Sequence, residues 1–169
     1  GKKAFCGKTF DEERRDILDM FRVLNERAPE VFGARQKRYQ IVANSMGGTM
    51  ASTLREVFSR VEKIVLCGSG TGASSATKPI LSTYPSKRYV TSAAATFTGD
   101  VLLLQGEKDA VVPLASQDEL LAAYSSARLA IKKVIPGANH NFSRIDGGNQ
   151  PLAYELCVSA IFSFLMGIE

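Results

Sequence analysis

The sequence predicts an α/β domain, a three-layer α/β/α sandwich built on a mostly parallel sheet. Short aliphatic and β-branched runs alternate with segments of helical period, the pattern of strands and covering helices. The first three runs end in small-residue or glycine-bearing turns: Asn44-Ser45-Met46-Gly47-Gly48, Gly68-Ser69-Gly70-Thr71-Gly72 and Gln105-Gly106-Glu107-Lys108-Asp109. The chain is 169 residues long, 45% apolar and 22% charged, which suits one globular domain over residues 1–169 and excludes disordered, collagen-like and coiled-coil readings.

In chain order, Asp11 to Arg27 places Ile17, Leu18, Met20, Phe21 and Leu24 on one face of an amphipathic helix. Asp11, Glu12 and Glu13 occupy its first turn, where the helix dipole favours negative charge. The Pro/Gly-punctuated stretch Ala28 to Lys37 is expected to end it. Arg38 to Ala43 reads as the first strand, and Met50, Leu54, Val57 and Phe58 mark one side of the helix that follows the Ser45 turn. Val61 to Cys67 is the second strand. Residues 69–99 are rich in Ser, Thr and Ala with no strong period, expected as a long loop or a lid-like excursion over the sheet. Val101 to Leu104 is the third strand, Ser116 to Ala127 a helix with Ser116 as N-cap, and Leu129 to Ile135 the fourth strand. Pro151 to Met166 closes the chain as a helix with Pro151 in its first turn. No internal repeat is visible.

Charge and cysteine usage narrow the function classes. The net charge is +4 and the basic residues are scattered, so no nucleic acid is expected as a partner. No run approaches the roughly 18 apolar residues of a membrane-spanning segment. Cys6, Cys67 and Cys157 are odd in number and far apart, and the chain has one histidine, so neither a disulfide framework nor a zinc cluster is indicated. A reducing compartment, the cytoplasm, is the expectation, although a chain that starts at Gly1 leaves open a leader removed earlier. Two nucleotide-type motifs fail. Gly7-Lys8-Thr9 lacks the upstream glycine and strand of a P-loop and reads as a flexible tail, and Gly68 to Gly72 lacks the G-x-G-x-x-G spacing of a dinucleotide turn.

In an open parallel sheet, chemistry belongs at the carboxyl ends of the strands. Ser45 follows the first strand, Asp109 the third and His140 the fourth. A serine hydroxyl becomes a nucleophile when an imidazole accepts its proton, and the imidazole needs a carboxylate to fix its tautomer. Asp100, Asp118 and Asp146 are rivals for the acid. Asp100 precedes its strand, Asp118 falls in a helix and Asp146 follows the histidine, which leaves Asp109 as the choice.

The order Ser, Asp, His and the local motifs resemble the α/β-hydrolases. Ala43-Asn44-Ser45-Met46-Gly47-Gly48 resembles their nucleophile elbow, G-x-S-x-G, with Ala43 in place of the first glycine. Gly47 and Gly48 meet the need for small neighbours at that strained turn. Gly106 to Pro113 is similar to the family's acid loop, and Pro136-Gly137-Ala138-Asn139-His140 to its histidine loop. The resemblance, from about Asp11 onward, implies a serine hydrolase acting on carboxylic esters or related acyl compounds. Ser45, Asp109 and His140 are then the catalytic residues, and the Met46 amide an oxyanion donor. Monoacylglycerol-lipase-like and serine-aminopeptidase-like branches have similar elbows. The small acyl substrate would meet Ile80, Leu81, Tyr84, Tyr89 and Phe97, and no metal or cofactor is implied. A non-catalytic binding module on the same fold and a serine peptidase are the alternatives.

The family sheet usually has more strands than the four read here, and the loop that donates its second oxyanion amide has no counterpart. The first strand is therefore expected to carry an unpaired edge, open to a partner chain or a missing N-terminal segment that completes the sheet.

Overall fold

The computed structural model describes residues 7–34, 38–72, 78–143 and 150–168. In order these form α1 (Phe10–Phe32), β1 (Tyr39–Asn44), α2 (Met46–Ala51), a 3-10 turn (Arg55–Arg60), β2 (Val61–Cys67), α3 (Pro79–Ser82), α4 (Lys87–Ala94), β3 (Asp100–Gly106), α5 (Leu114–Ala123), β4 (Leu129–Ile135) and α6 (Gln150–Met166).

The four strands are all parallel and lie in the order β1-β2-β3-β4. Successive right-handed crossovers that always step the same way leave their helices on one face. Residues 64, 66, 101 and 103 point to that face, where Ile64, Leu66, Val101 and Leu103 pack with Phe58, Val90, Phe97, Leu120 and Tyr124. Val65, Cys67, Leu102 and Leu104 point the other way, onto Ala153, Cys157 and Ala160 of α6. Strands buried on both sides read as continuous apolar runs, which is why β2 and β3 were legible. The three-layer α/β/α architecture is thus observed.

Several elements differ from expectation, each for a local reason. α1 starts one residue earlier, at Phe10 behind a capping box, with Thr9 as N-cap accepting from Glu12 N while Glu12 reaches back to Thr9 N, so Thr9 is no part of a loose tail. It also runs through Pro29 at the cost of one intrahelical hydrogen bond, and stops at Gly33, whose φ of 70° closes the helix. Of its apolar face, Ile17, Leu18 and Phe21 reach the core, whereas Met20 and Leu24 stay exposed.

The helix expected after Ser45 is broken into α2 and the 3-10 turn. Ser52 Oγ donates to Gly48 O and Thr53 Oγ1 to Met50 O, both at 2.7 Å, and such side-chain bonds compete with the helical ladder. α5 begins at Leu114 after Pro113, so Ser116 is not its N-cap; the Ser116 hydroxyl accepts from Thr71 N at 3.0 Å instead.

The stretch 69–99 is no bare loop. It holds α3 and α4, and Val90, Ala94 and Phe97 are fully buried, so this segment is the crossover that covers the sheet between β2 and β3. Cys67 and Cys157 are buried, free and in hydrogen-bonding contact across the α6 face; Cys6 lies outside the described residues. Asp100 heads β3 and takes two hydrogen bonds from Arg128 (2.8 and 2.6 Å), which tie the starts of β3 and β4. No helix among the described residues is long and apolar enough to cross a membrane.

Phe97 is the hub of the larger core, edge-to-face with Phe58 at 5.1 Å and with Tyr124 at 5.9 Å. Phe97→Ala should cost about 3–5 kcal/mol, read as a lowered urea midpoint with an unchanged slope. The Arg128 hydrogen bonds, ahead of other causes, hold the Asp100 carboxyl below its usual range. A carboxylate with a depressed folded-state pKa adds stability above its unfolded value of about 3.9 and loses it as pH falls through the folded value. Arg128→Ala should therefore lower stability at neutral pH by no more than about 1 kcal/mol, since Arg128 is exposed, and the gap to the parent chain should close in acid. A gap of equal size at about pH 2 would assign the effect to packing.

Candidate active site

β1 delivers Ser45 into a turn that few side chains tolerate, with φ 54° and ψ −124°. A non-glycine residue at positive φ costs of order 1–3 kcal/mol and persists where its surroundings over-determine it. Here Ser45 N donates to Cys67 O at 2.8 Å and Gly48 N to Ser45 O at 3.0 Å. The first turn of α2 presses on β2 so closely that a Cβ on Gly48 would run into Ser69 Oγ. Gly47, by contrast, faces open space, so of the two glycines only Gly48 is required by packing. Met46 is the first residue of α2, where amides have no intrahelical acceptor.

The loop after β3 holds Asp109 with its side chain wholly buried. Its Oδ1 accepts from Val111 N (2.9 Å) and Val112 N (3.0 Å), and its Oδ2 accepts from Gln117 Nε2 (3.0 Å). That same Oδ2 lies 2.9 Å from His140 Nδ1, and His140 Nε2 lies 2.9 Å from Ser45 Oγ. With Nδ1–H donating to Asp109 Oδ2, Nε2 is the nitrogen left to accept from the serine hydroxyl. The histidine loop is fixed from both sides: Lys108 N donates to Ala138 O at 2.8 Å and Gly137 N to the Glu107 carboxylate at 2.8 Å. Gly68, at φ 57°, passes beneath the ring, and a Cβ there would sit 3.2 Å from His140 Nδ1.

The structure thus brings Ser45, Asp109 and His140 together. It takes two rivals away: Asp100 is paired with Arg128 and Asp118 with Lys132. Asp146 lies outside the described residues. Gln117 escaped sequence reasoning. It is fully buried, donates to Asp109 and to Val112 O, and its own Oε1 has no hydrogen-bond partner among the described residues. The available signal was a polar residue on the stripe shared with Leu120 and Tyr124 at helical spacing.

Beside Ser45 opens a cavity of about 140 Å3 walled by Met46, Leu81, Tyr84 and Val111-Val112-Pro113. Of the expected lining, only Leu81 and Tyr84 reach it. Ile80 packs on Phe10 and Met50, Phe97 belongs to the main core, and Tyr89 is exposed under Arg55. Burial pushes the Tyr84 phenol above its ordinary pKa, with a hydrogen bond to Thr49 acting the other way. Among the described residues no group of three or more His, Cys, Asp or Glu side chains is placed to hold a metal.

No family model matches this sequence, and no curated protein matches it significantly. Solved structures do. A meta-cleavage product hydrolase from Pseudomonas fluorescens IP01 is similar at 16% identity and TM-score 0.57, over 94% of this chain and 70% of that one. A Mycobacterium tuberculosis protein, itself assigned provisionally as a non-heme bromoperoxidase, aligns at 15% identity and TM-score 0.68, over 96% of this chain and 76% of that one. The esterase domain of a Rhodothermus marinus protein aligns at 14% identity and TM-score 0.61, over 89% and 67%. The chain has the α/β-hydrolase fold.

The two glycines of the turn should separate on substitution. Gly48→Ala is expected to lower stability by about 1–3 kcal/mol through overpacking against Ser69. Gly47→Ala should be neutral or stabilising by up to about 1 kcal/mol, since alanine favours the helix and meets nothing there. Thermal unfolding of both variants checks the pair, and equal losses would contradict the packing account.

Proposed function

We propose that this protein is a serine hydrolase that cleaves carboxylic esters or related acyl compounds through an acyl-enzyme. The observation that carries the reading is the continuous pair of 2.9 Å contacts from Asp109 Oδ2 to His140 Nδ1 and from His140 Nε2 to Ser45 Oγ. The strain at Ser45 supports it, since a binding module has no need to hold a serine at φ 54°.

In this reading Ser45 Oγ attacks the acyl carbon while its proton passes to His140 Nε2. Asp109 holds the ring in the required tautomer and stabilises the imidazolium that forms. The Met46 amide, at the positive end of α2, donates to the oxygen that gains negative charge. Collapse of the tetrahedral adduct expels the alcohol, which takes the proton from His140. Water then enters by the same route in reverse, with His140 as its base, and the released acid regenerates Ser45. Gln117 and the amides of Val111 and Val112 are positioning groups, holding the Asp109 carboxylate aimed at the ring.

A fluorophosphonate probe should form an adduct on Ser45, located by peptide mass spectrometry, and Ser45→Ala should abolish it. His140→Ala should slow labelling and ester hydrolysis by about 10²–10⁴-fold while the variant still unfolds cooperatively. A folded parent chain that takes no label on Ser45 would sink the proposal.

A further inference from the structure

The cavity beside Ser45 has a sidedness that the proposed chemistry can read. His140 must hand its proton to the departing oxygen, so the leaving group lies on the His140 side of Ser45. Neither His140 nor Asp109 lines the cavity; its walls come from Met46, Leu81, Tyr84 and the Val111-Val112-Pro113 turn. We infer that this cavity receives the acyl half of the substrate and that the acyl chain is short, from acetyl to about butanoyl. The inference rests on the serine-hydrolase reading above.

Size sets the limit. The cavity measures about 140 Å3. A water-sized group occupies about 30 Å3, so it holds about five non-hydrogen atoms, the number in a butanoyl group. Sites for larger organic ligands run to about 300–1,000 Å3.

The Leu81 and Tyr84 wall is also fixed. The Tyr84 ring stands edge-to-face with Phe10 at 4.8 Å, and Thr49, which shares the lining, is tied down by its Oγ1 donating to Gly70 O at 2.7 Å. Leu81 packs into the same cluster, with Phe10, Met50 and Ile80 behind it. A longer chain would have to unseat this packed group, which makes it a poorer fit than a short one. The lining side chains are apolar apart from the Ser45, Thr49 and Tyr84 hydroxyls and include no charged group, which favours a hydrocarbon chain over a charged one.

The test is a chain-length series of p-nitrophenyl esters, run beside fluorophosphonate labelling of Ser45 on the same preparation. From acetate to butanoate kcat/KM should rise roughly tenfold, the gain of burying two methylenes. Octanoate should fall at least tenfold below butanoate. Leu81→Ala, which enlarges the cavity at that wall, should raise the octanoate-to-butanoate ratio at least fivefold. A parent chain that labels on Ser45 yet hydrolyses octanoate as well as butanoate would overturn the short-acyl assignment and leave the hydrolase reading standing. A labelled Leu81→Ala chain with an unchanged ratio would likewise overturn the placement of the acyl chain in this cavity. Absence of both label and hydrolysis would remove the hydrolase reading, and this inference with it.

Discussion

The backbone of Ser45 is the constraint on which the site depends. A serine held at φ 54° and ψ −124° has to be kept there by its neighbours, and three of them do so. β2 supplies the Cys67 carbonyl that takes the Ser45 amide, α2 begins at once and draws Gly48 in against Ser69, and Gly68 clears space for the histidine above. Each contact comes from β2 or its turn, so the middle of the sheet, rather than β1 itself, fixes the serine. The fully buried Ile64, Val65 and Leu66 that anchor β2 on both faces are therefore part of the reason one hydroxyl is presented correctly.

What the sequence revealed and what it concealed follow the range of the forces involved. Val61–Cys67 and Leu129–Ile135 were readable to the residue because strand character is a local property of apolar runs between turns. That Ser45, Asp109 and His140 lie close together was readable because chain order and strand ends place them, even though the serine and the histidine stand 95 positions apart. Gln117 was not, because its role comes from an eight-residue reach back to Asp109 that no period encodes. The pocket was half-read for the same reason: Leu81 and Tyr84 were expected, whereas the Val111-Val112-Pro113 wall arrives from the acid loop. The break after α2 was missed because Ser52 and Thr53 turned their hydroxyls on the backbone, a competition that apolar spacing cannot display.

The fold is shared with the solved structures only in part of their length. The chain accounts for 70% and 76% of two of them, and among the described residues β1 pairs on one side only, with β2. A groove of about 460 Å3 runs along that side between α1 and β1, touched by Ile17, Phe21, Ile41 and Val42. α1 shelters the face of β1 at Tyr39 and Ile41 without supplying a neighbour for its backbone.

The strand order has a consequence for how the molecule comes into being. Each strand pairs with the one made just before it, so the sheet is able to grow from β1 outward as the chain lengthens. Ser45 takes its strained form once β2 is in place, and Asp109 gains its amide partners from its own loop. His140 follows the last strand, so the serine acquires its hydrogen-bonding partner only after β4 has docked. During synthesis the nascent chain would carry a serine already bent into position but without its imidazole neighbour, and that contact would form only once β4 has joined β3.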